Sequence, residues 1–146
     1  MDATAKCRVI PAGREKCGIP VPAPFAVVIF GASGDLTKRK LIPSMYHLML
    51  DGHLPDEFLV LGTALEDWDD AGFRVRMKEA VREAYPSEFS EAAWGGFADR
   101  LYYMPGRFDD PNFYKSLADR LAPLEKRHKT KGNRIFYLAI PPSADL

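Results

Sequence analysis

Seven consecutive residues, Gly31-Ala32-Ser33-Gly34-Asp35-Leu36-Thr37, have the types needed to hold an anion against the main chain. Gly31 permits a sharp turn, and Gly34 lets a ligand approach the backbone with no Cβ in the way. If a helix follows, its first amides lack internal partners and its partly positive end favours phosphate. Ser33 and Thr37 add hydroxyl donors, and Lys38, Arg39 and Lys40 form a compact basic cluster beside them. The spacing is G-x-x-G rather than G-x-G-x-x-G, and no G-K-[ST] follows. Hydrolysis of a nucleoside triphosphate is therefore disfavoured, and a pyrophosphate bridge suits the turn better. The same residues also suit a plain strand-to-helix turn with a solvated basic face.

The flanking elements decide between these readings. Ala26-Val27-Val28-Ile29-Phe30 is a continuous apolar run rich in β-branched residues, as expected of a parallel strand covered on both faces. Beyond the turn, Leu41, Met45, Leu48 and Met49 recur at helical spacing, and Gly52 marks the helix end. Pro43 inside this pattern predicts a kink or a restart. A second buried strand is expected at Phe58-Leu59-Val60-Leu61-Gly62, followed by a helix with Phe73, Met77, Ala80, Val81 and Ala84 on one face, capped by Asp67 or Asp69. A shorter helix over 88–100 then leads to a third strand at 101–104. Asp110 before Pro111 predicts the cap and first position of another helix, with Phe113, Leu117, Leu121 and Leu124 facing inward and Pro123 bending it. A fourth strand runs from Arg134 to Ile140 and stops at Pro141-Pro142. Strands alternating with helices give an α/β fold, a Rossmann-like doubly wound parallel sheet with helices on both faces.

Composition narrows the function classes. With 146 residues, 20 Lys+Arg against 20 Asp+Glu and 47% hydrophobic residues, the chain has the size and balance of one soluble domain. Zero net charge argues against nucleic-acid and membrane-surface binding. No apolar run approaches the roughly 20 residues of a membrane span. Cys7 and Cys17 form neither a disulfide framework nor a zinc spacing, so a reducing cytoplasm is expected and no metal site is. Residues 1–24, with Pro11, Pro20, Pro22 and Pro24, read as an irregular leader, and the domain occupies 25–146.

Gly31-Ala32-Ser33-Gly34-Asp35-Leu36-Thr37-Lys38-Arg39-Lys40-Leu41-Ile42-Pro43 closely resembles the opening of the glucose-6-phosphate dehydrogenase family, G-A-S-G-D-L-[AT]-x-[KR]-K-L-x-P. Leu59-Val60-Leu61-Gly62-Thr63-Ala64 and Asn133-Arg134-Ile135-Phe136-Tyr137-Leu138-Ala139-Ile140-Pro141-Pro142 look like two further strands of that family. The resemblance implies an oxidoreductase of carbohydrate metabolism that oxidises glucose 6-phosphate to 6-phosphogluconolactone in the oxidative pentose phosphate pathway. It implies NADP or NAD as cofactor, with the pyrophosphate on Gly31, Ala32, Ser33, Gly34, Asp35, Leu36, Thr37 and Lys38, and with Tyr137 beside the cofactor crevice.

Two departures qualify this. The family commonly has Gly-x-Ala-Arg after its second strand, the arginine gripping the 2′-phosphate of NADP. Here Gly62-Thr63-Ala64 is followed by Leu65 and the acidic Glu66 and Asp67, which suit the ribose hydroxyls of NAD or cap the next helix. The family's catalytic lysine in Glu-Lys-Pro-Phe-Gly and its histidine in Arg-Ile-Asp-His-Tyr-Leu-Gly-Lys have no counterpart in this sequence. His47, His53 and His128 have no base-like arrangement, and Lys126, Arg127, Lys129 and Lys131 complement a helix end. No catalytic residue is expected, and glucose 6-phosphate binds only if a catalytic domain is supplied. A stand-alone dinucleotide-binding module and a fragment without independent role are the alternatives. The sheet is expected to be incomplete at its C-terminal edge, truncated after the fourth strand, which invites self-association.

Overall fold

The computed structural model of the chain describes residues 9–10, 14–15 and 21–139. Val9–Ile10 (β1) and Arg14–Glu15 (β2) pair antiparallel. The leader, expected to be irregular, thus contains a short ladder. The body follows in the order Phe25–Phe30 (β3), Ile42–Leu50 (α1), Phe58–Ala64 (β4), Asp70–Ala84 (α2), Glu91–Ala98 (α3), Leu101–Pro105 (β5), Phe113–His128 (α4) and Arg134–Leu138 (β6). Four strands form one parallel sheet in the order β5-β4-β3-β6. The expected end of the last strand, Ile140 with Pro141-Pro142, lies outside the described residues.

Every residue of β3 and β4 is buried, which explains their uninterrupted apolar runs. Alternate side chains supply two cores. Val27, Ile29 and Val60 pack with Ile42 and Tyr46 of α1, Phe73 and Met77 of α2, and Trp94 and Phe97 of α3. Val28, Phe30, Leu59 and Leu61 pack with Phe113, Leu117 and Leu121 of α4. Helices therefore cover both faces, as the alternation of elements predicts. None of the described helices is long and apolar enough to cross a membrane.

Local chemistry sets the helix ends. The side chain of Asp69 accepts from the Gly72 amide at 2.7 Å, and that of Ser90 from the Ala93 amide at 3.1 Å. After α1, Gly52 at φ +76° closes a Schellman turn in which the His53 amide reaches the Leu48 carbonyl at 2.9 Å. Two expectations need correction. Asp110 caps a turn, its Oδ1 accepting from the Asn112 amide at 2.9 Å, and α4 begins only at Phe113. Ala84 is exposed, because α2 leaves the core after Val81.

The two sheet edges differ. Along β5, the Arg74 guanidinium donates to the Leu101 carbonyl at 2.9 Å, and the Tyr103 amide donates to Asp70 Oδ1 at 2.8 Å. Arg120 grips both oxygens of Asp70 at 3.0 and 2.8 Å. Side chains of α2 and α4 thus occupy main-chain groups that could otherwise pair with another strand. Among the described residues β6 has no such cover: all five of its residues are exposed. It is tied down by two bonds of 2.8 Å from Arg134 to the buried Glu125 of α4.

At the end of α4, His128 Nε2 lies 2.7 Å from the hydroxyl of buried Tyr102. Burial first, then the nearby cations Arg127, Arg100 and Arg74, hold its pKa below the ordinary 6.5, with Asp99 opposing. The folded chain keeps this ring neutral where the unfolded chain begins to protonate it. Its contribution is therefore complete above the unfolded value and is lost as pH falls through that value towards the lower folded one. Urea midpoints measured between pH 8 and pH 5 should fall on the acid side, and His128→Gln should flatten that fall. An acid limb identical in both proteins would refute this assignment.

Candidate functional site

β3 ends at Phe30, and the chain turns at once. Gly31 has φ +90°, a conformation closed to side-chain-bearing residues without strain. The turn is clamped to the adjacent strand, since the Thr63 carbonyl accepts from the amides of both Gly31 (2.8 Å) and Ala32 (3.1 Å). Ala32 is fully buried against β4, and a Cβ on Gly62 would stand 2.6 Å from the Ala32 methyl. Gly62 is thus a positioning residue for the turn. Its signal in the sequence, a glycine inside an apolar strand, marks a site of close backbone approach.

The amides of the turn divide into two sets. Those of Gly31 and Ala32 are held by Thr63, that of Gly34 by the Gly31 carbonyl at 3.1 Å, and that of Lys38 by the Gly34 carbonyl at 3.2 Å. Those of Ser33, Asp35, Leu36 and Thr37 have no acceptor among the described residues. These four donors stand at the start of a continuous helical segment, Thr37–Leu41 in π form and then α1, whose dipole adds to their field. Thr37 also differs: the residue is fully buried and its hydroxyl lies 3.5 Å from the Gly31 carbonyl, so that hydroxyl faces away from a ligand.

Around this turn, Asp35, Leu36, Lys38, Arg39 and Lys40 are exposed. Asp35, Lys38 and Arg39 border an open cleft of about 460 Å³, closed on the other side by Ala80, Glu83 and Ala84 of α2. Tyr137 lies on β6 directly beside Ile29 of β3, half-exposed. It is not a core aromatic, and its hydroxyl has no partner among the described residues. The end of β6 also approaches the turn, since the Ala139 amide donates to the Phe30 carbonyl at 2.7 Å.

Beyond β4, Leu65 is 68% exposed and is followed by the exposed Glu66 and Asp67. The Tyr103 hydroxyl donates to the Glu66 carbonyl at 2.7 Å and so fixes this segment against β5. Burial, and then the Glu66 and Asp67 carboxylates, push the Tyr103 phenol above its ordinary range, so it remains a donor. On the other side of the segment, the Arg76 guanidinium lies 4.3 Å from the Trp68 ring centroid. The histidines stand apart from the turn: His47 stacks on Tyr85 with ring centroids 4.8 Å apart, and His128 pairs with Tyr102. Among the described residues, no group of three or more His, Cys, Asp or Glu side chains could hold a metal ion.

The two glycines of the turn should separate in their roles. A Cβ at Gly34 would meet only the Gly31 and Ala139 carbonyls, at ordinary contact distances of 3.4 and 3.9 Å. Gly34→Ala should therefore leave thermal stability nearly unchanged while weakening an anion held on the turn. Gly31→Ala should cost about 1–2 kcal/mol of folding stability for its left-handed backbone. Thermal melts with and without dinucleotide compare the two, and a strongly destabilised Gly34→Ala would contradict the division.

Comparison with known proteins supplies the family. The family model "Glucose-6-phosphate dehydrogenase, NAD binding domain" matches residues 28–145. Glucose-6-phosphate 1-dehydrogenase of Chlamydia pneumoniae is 46% identical over 119 residues, covering 82% of this chain and 23% of the relative. Glucose-6-phosphate 1-dehydrogenase 2 of Mycobacterium tuberculosis is 37% identical over 131 residues, 90% of this chain and 26% of the relative. The solved structure of a glucose-6-phosphate dehydrogenase in complex with its substrate glucose-6-phosphate superposes with a TM-score of 0.73 at 28% identity, covering 84% of this chain and 25% of that one. The chain thus spans about a quarter of the length of the relatives it matches. With its parallel sheet, its glycine turn and this match, the chain belongs to the family of glucose-6-phosphate dehydrogenase NAD-binding domains.

Proposed function

We propose that this chain binds a nicotinamide dinucleotide, NAD or NADP, with the pyrophosphate seated on the turn formed by Gly31, Ala32, Ser33, Gly34, Asp35, Leu36, Thr37 and Lys38. The observation that carries the reading is the set of four unpartnered amides, of Ser33, Asp35, Leu36 and Thr37, at the head of a helix. Gly31 and Ala32 hold the turn to β4, Gly34 leaves room for the anion, and exposed Lys38 supplies a cation. Tyr137 borders the crevice where β6 lies beside β3. The dinucleotide, when bound, supplies the acceptor for a dehydrogenation.

Oxidation of glucose 6-phosphate to 6-phosphogluconolactone also needs a base for the sugar hydroxyl proton and a site that positions C1. We assign both to polypeptide beyond these 146 residues, since the chain spans about a quarter of its relatives. By itself it binds cofactor without turnover, and glucose 6-phosphate becomes a partner only with a catalytic domain. Such a protein belongs in the cytoplasm, and its two cysteines, Cys7 and Cys17, require no oxidising compartment. Calorimetric titration with NAD and NADP, alongside a dehydrogenase assay, tests this reading: binding without turnover is expected, and binding of neither dinucleotide overturns it.

The segment after β4 favours NAD. Leu65 offers no donor to a 2′-phosphate, whereas Glu66 and Asp67 present carboxylates that suit ribose hydroxyls and repel added phosphate. NAD should bind at least as tightly as NADP. Leu65→Arg should shift the ratio towards NADP by about tenfold, the scale of one charge-assisted hydrogen bond. NADP binding much tighter than NAD to the unaltered chain would reject the preference.

The bare edge supports self-association of the chain through β6. Ile135, Phe136, Tyr137 and Leu138 are each 40–59% exposed on a strand whose outer edge has no neighbour among the described residues, while the β5 edge is occupied by side chains. A second copy paired antiparallel about Phe136 sets Ile135 opposite Tyr137 and Arg134 opposite Leu138, an isologous contact. Arg134 brings no unpaired charge to it, being held by Glu125. Sedimentation over a range of concentrations should show a dimer, and Leu138→Lys should return it to monomer. A monomer at high concentration with β6 amides protected from exchange would exclude this contact.

A further inference from the structure

The helix that carries the unpartnered amides opens in α form at Asp35 and Leu36 but does not continue as a regular α-helix. Over Thr37–Leu41 it is a π-helix, the Ile42 amide reaching five residues back to the Thr37 carbonyl, and only then does α1 begin, with Pro43 in its first turn. Proline has no N–H to donate, and in an α-helix its ring collides with the carbonyl four residues back, here that of Arg39. Widening the preceding turn by one residue relieves both problems. Single π turns of this kind are concentrated at functional sites.

The extra residue changes which side chains face inward. Thr37 and Ile42, both fully buried, are five positions apart, and Tyr46, also fully buried, follows four later. Regular α-helical spacing back from Ile42 would put Lys38 in the inward position that Thr37 fills. It would also rotate the residues before it by about 100°, one residue's share of a 3.6-residue turn. Asp35 and Leu36 lie ahead of the widened turn and Thr37 opens it, so the three unpartnered amides they carry move with it.

We infer that Pro43 is a positioning residue for the dinucleotide's pyrophosphate: it imposes the π turn that aims the amides of Asp35, Leu36 and Thr37. This rests on the dinucleotide reading above, and it places a specificity for phosphate geometry in a residue six positions beyond the donors. Nothing in it concerns the 2′-phosphate, so NAD and NADP depend on Pro43 equally.

The test is Pro43→Ala in the full chain, with dinucleotide titration and amide hydrogen exchange on both proteins. The variant should lose about tenfold in affinity for NAD, NADP and ADP alike, the scale of one charge-assisted hydrogen bond. The amide introduced at position 43 should be protected from exchange by the Arg39 carbonyl, and amide shifts from Ser33 to Lys38 should change. A purely structural role would lower the melting temperature and leave those shifts and affinities unaltered in the protein that remains folded. Unaltered affinity and shifts at wild-type stability would overturn the inference. If the unaltered chain binds no dinucleotide, the proposed function fails, while the exchange and shift data still decide whether Pro43 sets the turn. Pro43→Val, which restores volume with the same new amide, is measured if the alanine variant does not fold. Failure of both to fold overturns the inference by making Pro43 a requirement of the core alone.

Discussion

The Thr63 carbonyl, accepting from Gly31 at 2.8 Å and from Ala32 at 3.1 Å, is the contact on which the site depends. It fixes the glycine turn to the end of β4 and so defines where the following helix starts. It requires that β4 and the turn approach closely, which Gly62 permits by having no Cβ where the Ala32 methyl lies. It also consumes two amides that would otherwise face a ligand. What is left for an anion is a short arc of donors at the head of the helix rather than the whole loop. Donors arranged this way are preorganised for an anion, because they are held by backbone bonds and packing before any ligand arrives.

Among the described residues, the sheet around that contact is finished on one side and open on the other. On β5, Asp70, Arg74 and Arg120 satisfy main-chain groups, and the Tyr103 hydroxyl fastens the segment after β4. The same strand thus closes an edge and positions the segment after β4. On β6, the only strong side-chain anchor among the described residues is the Arg134–Glu125 pair, and the apolar residues after Arg134 remain exposed. Strands with apolar side chains on both faces are ordinarily interior strands. That character stands in a chain that spans about a quarter of its relatives' length.

Much of this was legible in the sequence because it depends on local periodicity and turn chemistry. The uninterrupted apolar runs gave β3 and β4, the three- and four-residue spacings gave α2 and α4, and Asp69 gave a cap. The glycine turn and its basic neighbours located the candidate site. Where local signals competed, the sequence reading slipped. Asp110-Pro111 has the types of a cap and first helical residue, yet the turn closed by the Asp110 side chain delays α4 to Phe113. Pro43 signalled a restart, but not that the turn before it would widen rather than kink.

The sequence by itself determined the fold class, the order of the body's strands and helices, the glycine turn and the family resemblance, because each is written in residues close together along the chain. Only the tertiary structure decided which amides stay free, that Thr37 turns inward, that Gly62 must lack a side chain, and that one sheet edge is sealed while the other is bare. Those outcomes depend on contacts between residues far apart in sequence, such as Thr63 with Gly31 and Asp70 with Arg120. No periodicity records which distant carbonyl or carboxylate will claim a given donor.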